Sequence, residues 1–184
     1  MRPWQLRRAV RALRHGGVIA YPTETVFGLG CDPLDALAVE RILDLKQRPA
    51  EKGLILIGAT LEQLLPYIAV DDAALLNKLA APQARATTWI CPLRTRVPSW
   101  LCGSHSSIAV RITNSPVARQ LCRQFGSALV STSANPAGLR PASDALTVRR
   151  YFGDRLDYIL SDRCDRHARP SRIVDLVSDT VIRA

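Results

Sequence analysis

The sequence predicts an α/β fold built on a mixed sheet. Segments with the apolar alternation or compact apolar runs of strands follow segments with helical spacing along the whole chain, and Gly, Pro or capping residues mark several of the changes. Length bounds the rest. At 184 residues the chain can bury one substantial core but not two ordinary ones, so a single domain over residues 1–184 is expected.

Leu6, Val10 and Leu13 recur at helical spacing with arginines between them, and Gly16-Gly17 stops the pattern, which predicts an amphipathic helix from about Trp4 to His15. A strand follows at Val18 to Tyr21, then a polar, glycine-bearing turn through Gly28 and Gly30. Ala38, Ile42 and Leu45 predict a second helix ending before Pro49, and Leu54 to Ile57 a buried strand. Thr60 with Gln63 reads as a capping box for a helix over Leu61 to Leu65, and Asp71 or Asp72 caps another running to Ala80. Thr88 to Cys91 reads as a strand. In the strand Ser107 to Thr113, Ile108, Val110 and Ile112 share one face, so Arg111 points away from the apolar side. Ser115-Pro116 opens a helix to about Phe125. A strand at Ala128 to Ser131, a helix from about Ser143 to Phe152, and strands at Tyr158 to Leu160, Ile173 to Val177 and Thr180 to Ile182 complete the pattern.

Apolar residues make up 47% of the chain and charged residues 22%, a balance that argues against disorder. The apolar stretches are too short to cross a bilayer, and the Arg-rich N-terminus has no apolar signal core behind it, so a cytoplasmic location is expected. Cys31, Cys91, Cys102, Cys122 and Cys164 show no C-x-x-C pair and read as reduced thiols. Cys31 itself reads as a small half-buried hydrophobe rather than a reactive group. His15, His105 and His167 have no triad or metal spacing and read as surface residues. The net charge of +9 attracts polyanions, with nucleotide, nucleic acid or both as candidates; a solvent face loaded with Arg is the alternative. Of the lysines Lys46, Lys52 and Lys78, two fall within one short segment, where a compact ammonium reaches into a crowded phosphate site better than a guanidinium.

Four segments place hydroxyls, glycines and cations at strand ends or loops, where α/β sheets bind ligands. YPTETVFGLG, residues 21–30, brings Thr23 and Thr25 beside glycines that permit close backbone approach. LKQRPAEKG, residues 45–53, carries Lys46, Arg48 and Lys52. A triphosphate bears about four negative charges and builds more on a departing pyrophosphate, so three cations suit it. The segment has no P-loop sequence, so this phosphate site is expected to be of another kind. VSTSAN, residues 130–135, supplies Ser131, Thr132, Ser133 and Asn135 as short donors and acceptors, and RPSRIVD, residues 169–175, sets Pro170-Ser171 before a strand.

In wording and order these strings, with AVRIT around Arg111, resemble the family of threonylcarbamoyl-AMP synthases, the YrdC, TsaC and Sua5 group, from about Gly16 to the end; the chain looks like the short TsaC form. The resemblance implies a twisted α/β sheet around a large basic cavity. It implies condensation of L-threonine, bicarbonate or CO2, and ATP into threonylcarbamoyl-AMP and pyrophosphate. TsaB, TsaD and TsaE type enzymes would then pass the threonylcarbamoyl group to adenosine 37 of tRNAs reading A-starting codons. By the same resemblance Lys46, Arg48 and Lys52 would contact ATP phosphates with Mg2+ sharing the charge, and Thr88, Arg111, Ser133, Asn135 and Arg183 would lie on the nucleotide side. Thr23, Thr25, Ser131 and Ser171 would lie on the threonine side, and no covalent nucleophile is implied.

Two departures stand out. The P-G-P-x-T turn usual in the family is replaced by PQARATT, residues 82–88. This loosens or reroutes the turn, and leaves Arg85 as either a further phosphate contact or a solvated residue. PSR at residues 170–172 replaces the commoner PST. A rival reading is a module that binds tRNA or other RNA directly, although aromatic residues make up only 5% of the chain and none falls inside STSAN or KQRP. A third reading is a relative with another substrate, as in the carbamoyl-transferring part of hydrogenase maturation enzymes.

Overall fold

A computed structural model describes residues 2–162, 164 and 170–184. In chain order the elements are α1 (Pro3–Arg14), β1 (Ile19–Pro22), β2 (Phe27–Gly30), α2 (Ala36–Lys46), β3 (Ile55–Gly58), α3 (Ala73–Ala80), β4 (Thr87–Pro92), α4 (Ser99–Cys102), β5 (Ser107–Ile112), α5 (Pro116–Phe125), β6 (Leu129–Ser133), α6 (Ala145–Phe152), β7 (Tyr158–Ile159), β8 (Arg172–Asp175) and β9 (Val181–Arg183). The strands form one mixed sheet in the order β7-β1-β2-β6-β3-β5-β4-β8-β9. β1/β7, β3/β5 and β4/β8 are parallel pairs, and the others are antiparallel.

Acceptor side chains start four of the helices. Asp35 takes the Ala38 N–H, Asp72 those of Ala74 and Leu75, Ser115 that of Ala118, and Asp144 that of Thr147, each satisfying donors that have no partner within the helix. α2 stops where Gln47 turns left-handed, with φ 50°, and the Arg48 N–H closes back on Leu43 O.

The two faces of the sheet are covered differently. Ala20, Leu29, Leu56, Val130, Trp89, Cys91, Ile108 and Val110 meet α2, α3, α4 and α6 in the larger core. On the opposite face, Leu6, Ala9, Val10 and Leu13 of α1 and Val117, Ala118, Leu121 and Cys122 of α5 pack over Ile19, Tyr21, Ile57 and Leu129. Part of that second face therefore has a helical roof. Over β4, β5 and β8 it opens into a cavity instead, lined by Ile90, Ser107, Ala109, Arg111 and Ile173.

Two expected features differ, and one short helix was not expected. The YPTETVFGLG turn is a β1/β2 hairpin: Phe27 and Leu29 alternate into the core, and Gly30 lets Tyr21 lie where a Cβ would come within 2.7 Å of its ring. Pairing on both sides, with β1 and β6, overrides the turn preference of glycine. The expected helix over Leu61 to Leu65 is a turn followed by a 3-10 helix at Leu65–Tyr67. Gln63 does not close a capping box there; it accepts the Ala59 N–H at 2.7 Å and donates to Cys122 O at 2.9 Å, while Pro66 cannot continue a helix. The four-residue α4 lacks the length to produce a helical pattern in sequence.

Cys31, Cys91, Cys102 and Cys122 are buried free thiols, and Cys164 is half-buried. Cys31 is completely buried, and burial, followed by the charges of Asp32 and Asp35, pushes its thiol up, so it behaves as an apolar core group. Among the described residues no helix is long and apolar enough to cross a membrane. Leu121→Ala, which empties a fully buried site between α5 and the sheet, is expected to lower stability by about 3 kcal/mol in urea unfolding. Leu37→Ala, at a position 73% exposed, should stay within about 0.5 kcal/mol of the parent.

Candidate functional site

The cavity has a volume of about 670 Å³ and draws its walls from all four of the hydroxyl-, glycine- and cation-bearing segments and from the AVRIT string. Thr23, Thr25 and Gly28 come from the β1/β2 hairpin, Arg48 and Lys52 from the loop after α2, Ser131 and Ser133 from β6, Arg111 from β5, Ser171 from the entry to β8, and Arg183 from β9. Register explains the convergence: Ser131 pairs with Ile55, Ile55 with Ala109, and Ala109 with Ile90, so one row of same-face residues floors the cavity. Gly28 leaves room against Ser131, since a Cβ there would lie 3.3 Å from its hydroxyl.

The loop carrying Arg48 and Lys52 is stitched to the end of α4. Leu54 N–H bonds Leu101 O and Ser104 N–H bonds Glu51 O; Gly53 and Gly103 supply positive φ angles of 58° and 62° at the crossing. A Cβ on Gly103 would lie 2.4 Å from Glu51 O, so only glycine fits this approach. Within the loop, Arg48 Nη2 donates to Lys52 O at 3.2 Å and Gly53 O at 3.0 Å. Its buried Nε has no partner among the described residues. Lys52 is exposed at the cavity edge.

Lys46 is separated from these two cations. It is 6% exposed, does not line the cavity, and directs its ammonium at the STSAN loop: Ser133 O at 2.5 Å, Asn135 O at 3.0 Å, Asn135 Oδ1 at 3.3 Å and Ser133 Oγ at 3.4 Å. Burial, and after it the charge of Arg48, pushes its pKa down to about 8. Asn135 is likewise committed to the loop, donating to Pro136 O and Leu139 O and accepting from the Ser133 hydroxyl at 2.6 Å.

Arg111 lies on the face of β5 away from the apolar core, as the strand alternation predicts, but it is 9% exposed, and its Nη1 lies 3.8 Å from Glu24 Oε2. The other carboxylate oxygen of Glu24 accepts from the Thr113 hydroxyl at 2.7 Å and from the N–H groups of Asn114 at 2.9 Å and Ser115 at 3.2 Å. Burial alone would raise the Glu24 carboxyl; Arg111 and these donors outweigh it and hold it below its ordinary value. Arg111 Nε is buried without a partner among the described residues. Arg48 and Arg111 therefore bring two guanidiniums to the same cavity.

Thr88 is completely buried behind the wall rather than on it, with Oγ1 3.3 Å from Ser171 Oγ. Arg183 Nη2 donates to Ser171 O at 2.7 Å and to its hydroxyl at 3.1 Å. Burial first, then Arg111 and Arg85, hold the Arg183 guanidinium below its ordinary value. Arg85 is half-buried and forks onto Pro170 O. Arg172 donates to Thr87 Oγ1 at 2.9 Å and to Gln83 Oε1 at 3.2 Å. His15 is exposed, and His105 is exposed at the cavity edge; His167 and Arg169 lie outside the described residues. Sequence reasoning missed Glu24, whose signal was present as the one acid inside the Thr-rich string. It also missed Cys102 and His105, which carry no local signal.

Among the described residues no group of three or more His, Cys, Asp or Glu side chains could hold a metal ion, and no carboxylate appears among the residues lining the cavity.

Fold and cavity define a protein of the ligand-binding α/β class, with its site on the uncovered part of a mixed sheet. The chain belongs to the Sua5/YciO/YrdC family, whose model, described as telomere recombination, matches residues 11–184. The threonylcarbamoyl-AMP synthase of Halorhodospira halophila is 48% identical over 182 residues, covering 99% of this chain and 95% of that protein. That of Nitrosococcus oceani is 51% identical over 172 residues, 94% and 93% of the two chains. P. abyssi Sua5 complexed with L-threonine superposes with a TM-score of 0.87 at 31% identity over 98% of this chain; the match covers 53% of that Sua5, about half its length. E. coli YciO superposes with a TM-score of 0.81 at 29% identity, over 97% of this chain and 87% of that one.

Two substitutions separate the roles of the charged groups. Lys46→Ala leaves buried acceptors of the STSAN loop unpaired and is expected to cost about 2 kcal/mol of stability in urea unfolding, whereas Lys52→Ala at the exposed edge should cost less than about 0.5 kcal/mol. Because the folded pKa of Glu24 is depressed, its ionisation stabilises the protein above the ordinary carboxylate value of 4.5, and that contribution is lost as pH falls through the lower folded value. Glu24→Gln should therefore be less stable than the parent at pH 7, and the gap should close on acidification below pH 4.5.

Proposed function

We propose that this chain, acting as one YrdC-like domain, is a nucleotidyltransferase that makes threonylcarbamoyl-AMP from L-threonine, bicarbonate or CO2, and ATP, with release of pyrophosphate. The observation that carries the reading is the cavity itself. One space of about 670 Å³, within the range usual for small-molecule sites, gathers the hydroxyls of Thr23, Thr25, Ser131, Ser133 and Ser171 with the cations Arg48, Lys52, Arg111 and Arg183. The names of the relatives and the threonine bound to P. abyssi Sua5 support the same substrates.

On this reading Arg48 and Lys52 take the phosphates, and Arg111, Arg183 and Ser133 complete the nucleotide side. Lys46 and Asn135 shape the STSAN loop beneath it, and Thr88 supports Ser171 from behind. Thr23, Thr25, Ser131 and Ser171 take threonine. The threonine amine adds to bicarbonate with loss of water to give a carbamate; a carbamate oxygen then forms its bond to the α-phosphorus as the bond to pyrophosphate breaks. Catalysis is by holding the two reactants in line and offsetting charge on the departing pyrophosphate. Mg2+, bound through the triphosphate, would share that charge. The product would pass to TsaB, TsaD and TsaE type enzymes for transfer to tRNA in the cytoplasm.

Pyrophosphate release measured with threonine, bicarbonate and ATP, each omitted in turn, tests the proposal. Release should require all three and fall sharply when serine replaces threonine. Arg48→Ala should lower kcat/KM about 100-fold. Release that proceeds without threonine or bicarbonate, or no release from folded protein, would overturn it.

A further inference from the structure

We propose that Arg85 is a positioning residue for the cavity wall made by Pro170 and Ser171, with Arg172 securing the same joint from the other side. That the wall faces threonine and nucleotide rests on the reading above. That Arg85 holds it does not.

Residues Gln83–Ala86 belong to neither α3 nor β4. Arg85 crosses from this irregular stretch and donates both Nε and Nη2 to Pro170 O, at 2.9 and 2.6 Å. Arg172 crosses in the opposite direction, donating Nε to Thr87 Oγ1 and Nη2 to Gln83 Oε1, while its backbone N–H bonds Ala86 O at 3.1 Å. Two guanidiniums from facing segments thus lace the approach to β4 to the entry of β8.

Ser171 hangs from this joint. Its carbonyl accepts Arg183 Nε and Nη2, and its hydroxyl meets Arg183 Nη2 at 3.1 Å and Thr88 Oγ1 at 3.3 Å. Pro170, Ser171, Ile173 and Arg183 all line the cavity, but Arg85 does not. Arg85 is therefore placed to act through the wall and not on the ligand. Its planar fork puts two donors on one carbonyl, which accepts both through its two lone pairs; a lysine, with a single pivoting ammonium, would hold the wall less firmly. With Arg85 removed, β4/β8 pairing and the Arg172 side-chain contacts remain while the Arg172 N–H bond to Ala86 O loosens, so the change expected is local displacement of Pro170 and Ser171 and not unfolding.

The test uses the full chain with Arg85→Ala and Arg85→Lys, reading amide exchange by NMR, the Kd for L-threonine by calorimetry, and Tm. In Arg85→Ala the Arg172 amide should exchange about tenfold faster while amides at the β4/β5 pairing are unchanged, and threonine should bind about tenfold more weakly. Arg85→Lys should recover part of both losses. Unchanged exchange at Arg172, or acceleration spread equally through β4 and β5 with a matching drop in Tm, would overturn the proposal. If the parent protein itself takes up no threonine, the substrate reading falls and exchange at Arg172 alone decides whether Arg85 holds the wall.

Discussion

A guanidinium inside a protein is tolerable only if its charge is met, and the Arg111–Glu24 pair is the point on which much of this structure turns. Arg111 lies on the cavity face of β5 because its neighbours Ile108 and Val110 are needed in the core. Glu24 meets it from the β1/β2 hairpin and also holds the Thr113 hydroxyl and the first N–H groups leading into α5. A single carboxylate thereby fixes the hairpin, the end of β5 and the start of α5 relative to one another. Removing either charge leaves the other buried and uncompensated, a cost that generally exceeds the net gain from forming the pair.

The division of the sheet's second face follows the same logic. Where α1 and α5 lie over it, the strands present Ile19, Tyr21, Ile57 and Leu129. Beyond the helices the strands present Ser107, Ala109, Arg111 and Ser131. Small and polar side chains leave the space open, and helices on the opposite face supply the core that stabilises the strands beneath it. The cavity is consequently a region the core does not need to fill.

The cations of the LKQRPAEKG segment show how charge can be divided within a few residues. Lys46 closes α2 and turns into the STSAN loop, where compactness lets an ammonium meet several oxygens at once. Arg48 braces its own loop through Nη2 and keeps Nε unpaired, and Lys52 stands at the exposed edge. One supports the STSAN loop, one braces its own loop, and one stands at the exposed edge of the cavity.

Most of the helices and strands, the placement of Arg111 on the face of β5 away from the core, and the strings that converge on the cavity were legible in the sequence, because each is encoded in local spacing, capping chemistry or a contiguous motif. The sequence by itself could not determine that YPTETVFGLG forms a hairpin, since glycine's turn preference is overridden only when β1 and β6 lie on either side. Nor could it distinguish Lys46 from Lys52, which have the same chemistry and differ only in what surrounds them. Arg85 depends most fully on tertiary structure: its partner Pro170 lies far along the chain, and its role arises only when the parallel pairing of β4 with β8 brings the two segments together.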